Sequence, residues 1–253
     1  RIKDAVRRIL RQKFRLGLFD KPFPDNNLIN KIGLKKHREV ARQAVRESLV
    51  LLKNEDNILP LKRDAKIVVV GEFGDNSGLQ SGGWTVNWQG TNENYRGATT
   101  ILEGFKKISS DGIGNDDADI AVIVVGETPY AEFFGDIGGE INAYQLTLTE
   151  IHQNYVDTYI KLGKKTVVVL VCGRPLVVTP QIDQSDAFVV AWLPGSEGHG
   201  ITEVLYGEHD FKGKLPHSWP KSVDDYNGKY GPNFWDDSIK PLFPLGFGLN
   251  YKS

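Results

Sequence analysis

Two carboxylates, a tyrosine and two tryptophans stand in short polar stretches of this chain where chemistry is a natural reading. The segment Gly126-Glu127-Thr128-Pro129-Tyr130-Ala131-Glu132 follows directly on the apolar run DIAVIVV, with Asp136 and Glu140 close behind. A carboxylic acid set among aromatic rings is desolvated, which favours its protonated form and lets it serve as a general acid near neutral pH. Taken one by one, each of Glu127, Glu132, Asp136 and Glu140 could take that role, but a single loop acid is by itself more often a plain solvated residue. Upstream, SGGWTVNWQG sets Trp84 and Trp88 among Gly, Ser, Asn and Gln. Indole rings offer a flat apolar face with a polar edge, suited to the apolar faces of sugars, while neighbouring amides bond hydroxyls. Both tryptophans are therefore candidate substrate-binding residues, with Trp84 expected to plug its loop onto the domain. Acids beside aromatic platforms are the equipment of glycoside cleavage, which uses two carboxyl groups.

Other reactive residue types offer less. Cys172 closes the apolar run TVVVLV and reads as an inert buried thiol. As the one cysteine, it excludes an internal disulfide and a multi-cysteine zinc cluster. The five histidines (His37, His152, His199, His209 and His217) show no metal-ligand spacing, so no metal or other cofactor is called for. Glu197 and His199 in GSEGHG suit a catalytic dyad or simply the start of a helix. A G-x-S-x-G elbow is absent, against a serine hydrolase. GEFGDNSG lacks the G-x-G-x-x-G spacing and no phosphate-loop run occurs, against a nucleotide site. Lys plus Arg (31) balance Asp plus Glu (32), which gives no overall basic footprint for nucleic acid. No apolar run reaches membrane-spanning length. Among 253 residues, 40% are hydrophobic and 25% charged, as in ordinary globular chains. The chain opens on Arg1 and contains no Met, the pattern of a processed chain or a fragment.

The elements that must position these residues follow from hydrophobic period. Ile2, Val6, Ile9, Leu10 and Phe14 mark one face of an opening helix stopped by Gly17, its other face rich in Arg and Lys. KPFPDNNLINKIG reads as a linker, and a lone helix before a linker is expected to belong to a larger upstream unit. From Lys36 a helical pattern continues through Ala44, Val45, Leu49 and Leu52. Strands are then expected over Lys66–Val70, Asp119–Val125, Thr166–Val171 and Ala187–Leu193, with helices over Thr100–Ile108, Thr147–Leu162 and Glu197–Tyr206. Continuous β-branched runs indicate strands covered on both faces, and the intervening helices indicate right-handed crossovers. The fold predicted is a three-layer α/β sandwich with a mainly parallel sheet. Ligands of such sheets meet the loops at the strands' carboxyl ends, which places all the polar loops above on one rim. After Gly207 the chain turns rich in Pro, Gly and aromatics, a tail wrapped over the domain.

In chain order, VRRILRQKFRLGLFD, ARQAVRESLVLLKNEDNILPL, VVVGEFGDN, SGGWTVNWQG, VVGETPYAEFFGD, GRPLVV, AWLPGSEGHGITEVLYGEHDFKGKLPHSWP and PLFPLGFGLNY span nearly the whole sequence. Together they resemble the C-terminal half of glycoside hydrolase family 3, in particular its barley-type β-glucosidases and β-glucan exohydrolases. The resemblance implies a (β/α)8 barrel, a linker and then an α/β sandwich of about six strands, with the active site between the two domains. On that basis residues 1–20 are the terminal helix of a missing barrel, 21–35 the linker and 36–253 the sandwich. It also implies that Glu132 in PYAE is the acid/base residue. Trp88 then matches the tryptophan that clamps the sugar beyond the cleaved bond. The nucleophilic Asp belongs to the barrel, and nothing in this chain matches its motif. Phe133 and Phe134 depart from the polar residues of barley-type relatives, which changes the shape of the cleft. The implied partners are β-linked glucosides or gluco-oligosaccharides and the N-terminal barrel, with no nucleic acid and no membrane. The alternative is a carbohydrate-binding α/β module without catalysis.

Overall fold

The computed structural model describes residues 1–109, 113–114, 117–137, 146–225 and 240–252. The chain divides into two units, Arg1–Val40 and Ala41–Ser253. In the first, α1 (Ile2–Arg15) ends at Leu16, and Gly17 follows in the left-handed conformation (φ +67°) that suits a residue without Cβ. None of the α1 side chains is buried, and Ile2 (81%) and Phe14 (68%) are conspicuously open for apolar residues. A 3-10 turn, Asn26–Lys31, follows, with the Asp25 side chain accepting from the Asn27 N–H. Helix α2 (Lys35–Ser48) runs across the division.

The second unit is built on a five-stranded sheet, β1 (Val50–Asn54), β2 (Ile67–Val70), β3 (Ile120–Gly126), β4 (Lys165–Val171) and β5 (Ala187–Trp192), in spatial order β1-β5-β4-β3-β2. The pairs β2–β3, β3–β4 and β4–β5 are parallel; β1 is antiparallel to β5. Residues alternate between two cores. Val122, Val124, Val167, Val169 and Val189 face one layer with Val45 of α2, Phe105 of α3 (Ile101–Ile108) and Ile201 of α6 (His199–Leu205). Ile123, Val125, Val168, Leu170 and Phe188 face the other, with Val156 of α4 (Glu150–Lys161), Ile182 of α5 (Thr179–Gln184) and Trp219 of the tail. This double coverage is why the strands read as unbroken β-branched runs. Helix α3 begins with a capping box between Thr100 and Glu103.

The predicted three-layer α/β sandwich is therefore present, with five strands among the described residues rather than about six. One element differs in kind. The helical pattern extended to Leu52, yet α2 ends at Ser48 and Val50–Asn54 is a strand. Apolar spacing alone does not separate a buried helical turn from a buried strand. The ladder groups on the outer side of β5 make that choice, since β1 pairs antiparallel with them and becomes the end strand of the sheet.

At the rim where the polar loops gather, the strands end in close backbone contact. A Cβ on Gly126 would stand 2.1 Å from the Val171 carbonyl oxygen. Gly126→Ala should destabilise the fold by about 1–3 kcal/mol. Tm should then fall by roughly 2–4 °C for each kcal/mol lost, as calorimetry would show.

Candidate active site

The parallel strands β2 to β5 send their following loops to one rim. The first loop is tied to the fourth through Gln80, whose Nε2 donates to the carbonyls of Gly195 and Thr99, each at 2.8 Å. Within the first loop, the Trp84 N–H donates to the Trp88 carbonyl (2.9 Å), closing a tight hairpin over Thr85–Asn87. Trp84 (φ +57°) and Val86 (φ +58°) both take left-handed backbone there. Their side chains are 69% and 68% exposed. The expectation that Trp84 plugs the loop onto the domain is thus overturned: the hairpin turns its indole outward.

The second loop is organised by Glu127. Its Oε1 accepts from the Gly173 N–H (2.9 Å) and the Tyr130 hydroxyl (3.0 Å), and its Oε2 from Arg174 Nε (3.0 Å). The Arg174 guanidinium also lies 4.0 Å over the Tyr130 ring. Burial, then the Glu127 charge, pushes the Tyr130 hydroxyl well above the ordinary range, so it remains a donor at neutral pH. Burial likewise raises the Cys172 thiol, matching its expected inertness. Of the candidate acids, Glu127 is thus committed to holding loops together. A cleft of about 200 Å³ opens beside it, lined by Gly82, Gly83, Trp84, Pro129, Tyr130 and Leu193 among others.

Glu132 sits at the first position of a 3-10 turn, Glu132–Gly135, and is exposed. Its φ of +52° is unusual for a residue with a side chain, and such backbone costs about 1–3 kcal/mol and gathers at active sites. The two residues after it join a ring cluster: Trp88 meets Phe133 and Phe134 edge-to-face at 6.0 and 5.5 Å between centroids, while Phe133 and Phe134 stack at 4.8 Å. Trp88 and Trp84 lie 6.3 Å apart with planes tilted by 52°. A sugar held between two ring faces needs about 7–8 Å, twice a ~3.5–4.0 Å carbon contact, so these two indoles do not sandwich one. The structure thus brings Trp88 together with Phe133 and Phe134, the two residues that follow Glu132, and leaves Trp84 exposed at the base of the hairpin. Asp136 is exposed beyond the turn, and Glu140 lies outside the described residues.

The proposed dyad separates into structural roles. Glu197 is buried and bridges the Ser196 hydroxyl (3.1 Å) and the Arg42 guanidinium (3.4 Å). His199 opens α6, and burial lowers its affinity for a proton. Among the described residues no group of three or more His, Cys, Asp or Glu could hold a metal ion.

Sequence reading missed Gln89 and Arg174. Gln89 Oε1 accepts from the Ala131 N–H (2.9 Å), and its Nε2 donates to the Ala131 carbonyl (3.3 Å). Arg174 Nη1 donates to the Gly135 carbonyl (2.7 Å). The available signals were their places, Gln89 next to Trp88 and Arg174 in the loop after β4.

Comparison with known proteins gives the arrangement a context. The chain is 33% identical over 286 residues to a lysosomal β-glucosidase of Dictyostelium discoideum, covering 99% of this chain and 34% of the relative. It is 28% identical to a periplasmic β-glucosidase of Salmonella typhimurium, over 99% of this chain and 40% of that one. Among solved structures, the exo-1,3/1,4-β-glucanase of a Pseudoalteromonas species matches with a TM-score of 0.87 at 38% identity, over 100% of this chain and 33% of that one. The chain spans between a third and two fifths of the length of these relatives. The pattern of the glycosyl hydrolase family 3 C-terminal domain is matched over residues 49–251, which takes in the whole sheet and every rim loop. This chain belongs to the glycosyl hydrolase family 3 C-terminal domain family.

Proposed function

We propose that this chain supplies the acid/base half of a retaining β-glucosidase or exo-β-glucanase acting on terminal β-D-glucosyl residues. Glu132 protonates the departing glycosidic oxygen and then takes the proton of the water that releases the sugar. The observation that carries this reading is the exposed Glu132 in left-handed backbone, next in sequence to a ring cluster built on Trp88. The names of the relatives, β-glucosidases and an exo-1,3/1,4-β-glucanase, support the substrate class.

The nucleophile, an Asp, comes from an N-terminal barrel. In this reading residues 1–20 are that barrel's last helix, 21–35 a linker and 36–253 the sandwich domain. The open apolar stripe of α1 supports the assignment, since a helix with that pattern is stable only against a partner surface. A retaining mechanism sets its two carboxyl groups about 5–5.5 Å apart, so the barrel must bring its Asp to the rim. The same approach would shield Glu132 from water. The deciding experiment is chemical rescue: Glu132→Ala in the complete enzyme should turn over an activated glucoside with azide and yield the β-glucosyl azide. Parent-like activity in that variant would leave the chain a sugar-binding module.

Trp88 should matter most for the sugar beyond the cleaved bond. Trp88→Ala should raise KM for cellotriose by roughly tenfold, the size of one contact worth ~1.4 kcal/mol. KM for an aryl glucoside should move much less. Equal changes for both substrates, read from steady-state kinetics, would make Trp88 a structural residue.

A further inference from the structure

Glu132 could not rest in left-handed backbone unless its neighbours were fixed, and three separate attachments fix them. Before it, the Ala131 N–H and carbonyl are both taken by the amide of Gln89. One residue earlier, Tyr130 is pinned by its hydroxyl to Glu127 and lies beneath the Arg174 guanidinium. After it, the Gly135 carbonyl that ends the turn is held by Arg174 Nη1. Arg174 is itself anchored to Glu127, whose other oxygen bonds the Gly173 N–H at the end of β4. The fit is close enough to require two glycines. A Cβ on Gly83 would stand 2.0 Å from the Tyr130 carbonyl oxygen, and one on Gly135 2.2 Å from the Tyr130 ring. The turn is therefore strapped to the first loop on one side and to the loop after β4 on the other.

We propose that Gln89 and Arg174 are positioning residues that aim the Glu132 carboxyl at the leaving-group oxygen. The inference rests on Glu132 being the acid/base residue. Both act through the backbone of the turn, not on substrate. Gln89 also follows Trp88 directly, so the loop carrying the ring that meets the leaving-group sugar is bonded directly to the loop carrying the acid that releases it. Arg174 is suited to its part because one planar guanidinium reaches the Glu127 carboxylate, the Tyr130 face and the Gly135 carbonyl together. A lysine carries the same charge but not that fork.

The test has two arms. In the complete enzyme, Gln89→Ala and Arg174→Lys should each slow cellobiose hydrolysis by roughly 10- to 100-fold, the cost of a misplacement near 1 Å. The first step with 2,4-dinitrophenyl β-glucoside, read as a pre-steady-state burst, should stay within about twofold of the parent, because that leaving group needs no proton. Gln89→Glu, which keeps the acceptor for the Ala131 N–H, should recover much of the loss. In the chain by itself, hydrogen exchange at the Ala131 amide should quicken at least tenfold in Gln89→Ala while amides of β3 keep their protection. Equal slowing of both substrates, or unchanged exchange at Ala131, would overturn the inference. A Glu132→Gln variant that slows both leaving groups alike would instead overturn the acid assignment, and the exchange arm would still report whether the strap exists.

Discussion

Replacing Glu132 by Gln in the complete enzyme should reduce cellobiose hydrolysis by ~10²–10⁴-fold, the usual worth of positioned acid–base assistance. A glucosyl oxygen is a poor leaving group and cannot depart unprotonated. Dinitrophenolate can, so formation of the glycosyl intermediate from its glucoside should be nearly spared. Release of the sugar would remain slow, because the attacking water has lost its base, and a burst followed by slow turnover is expected. Azide needs no base and should restore turnover. Glu127 lies on the same loop and makes the sharpest contrast. It is bonded to Gly173, Tyr130 and Arg174, so Glu127→Ala should loosen the loop and lower activity without azide rescue. Rescue of Glu127→Ala together with parent-like behaviour of Glu132→Ala would move the acid to Glu127.

The isolated chain should fold and yet hydrolyse aryl β-glucosides more slowly than the complete enzyme by at least ~10⁵-fold, the lower end of what orienting two reacting groups contributes. A general acid without a nucleophile or a pocket for the terminal sugar has nothing bound to protonate. The sheet and its two cores lie within the second unit, Ala41–Ser253, which thus carries its own buried core. Circular dichroism with a cooperative thermal transition would establish the first half. Initial rates on 4-nitrophenyl β-glucoside, with and without the barrel, would establish the second. Robust turnover by the purified chain alone would place a full catalytic pair within these residues.

Much of the architecture was legible in residue order because it depends on local chemistry. Strands β3 to β5 announce themselves as unbroken apolar runs, since each is buried on both faces, β2 as a shorter run only half-buried beyond Ile67, and the capping box at Thr100 marks where α3 begins. Parallel strands joined by helices then force the polar loops to a single rim; the loop sequences offer several acids and two tryptophans there, and only the family resemblance singles out Glu132 and Trp88. What depends on the far side of the sheet was not legible. Val50–Asn54 continues a helical pattern and becomes a strand because β5 offers it an edge. Trp84 is apolar enough to be a plug and is turned outward because the hairpin's left-handed residues aim it there. Glu127 and Glu132 are chemically alike and five positions apart on one loop. Tertiary contacts alone decide that one is consumed by Gly173, Tyr130 and Arg174 while the other, held by Gln89 and Arg174 through its neighbours' backbone, is left open to solvent. Residue type and spacing determine which groups arrive at the rim. Which of them is free to act depends on partners distant in sequence, because hydrogen bonds commit a carboxylate only once the fold has brought its donors within reach.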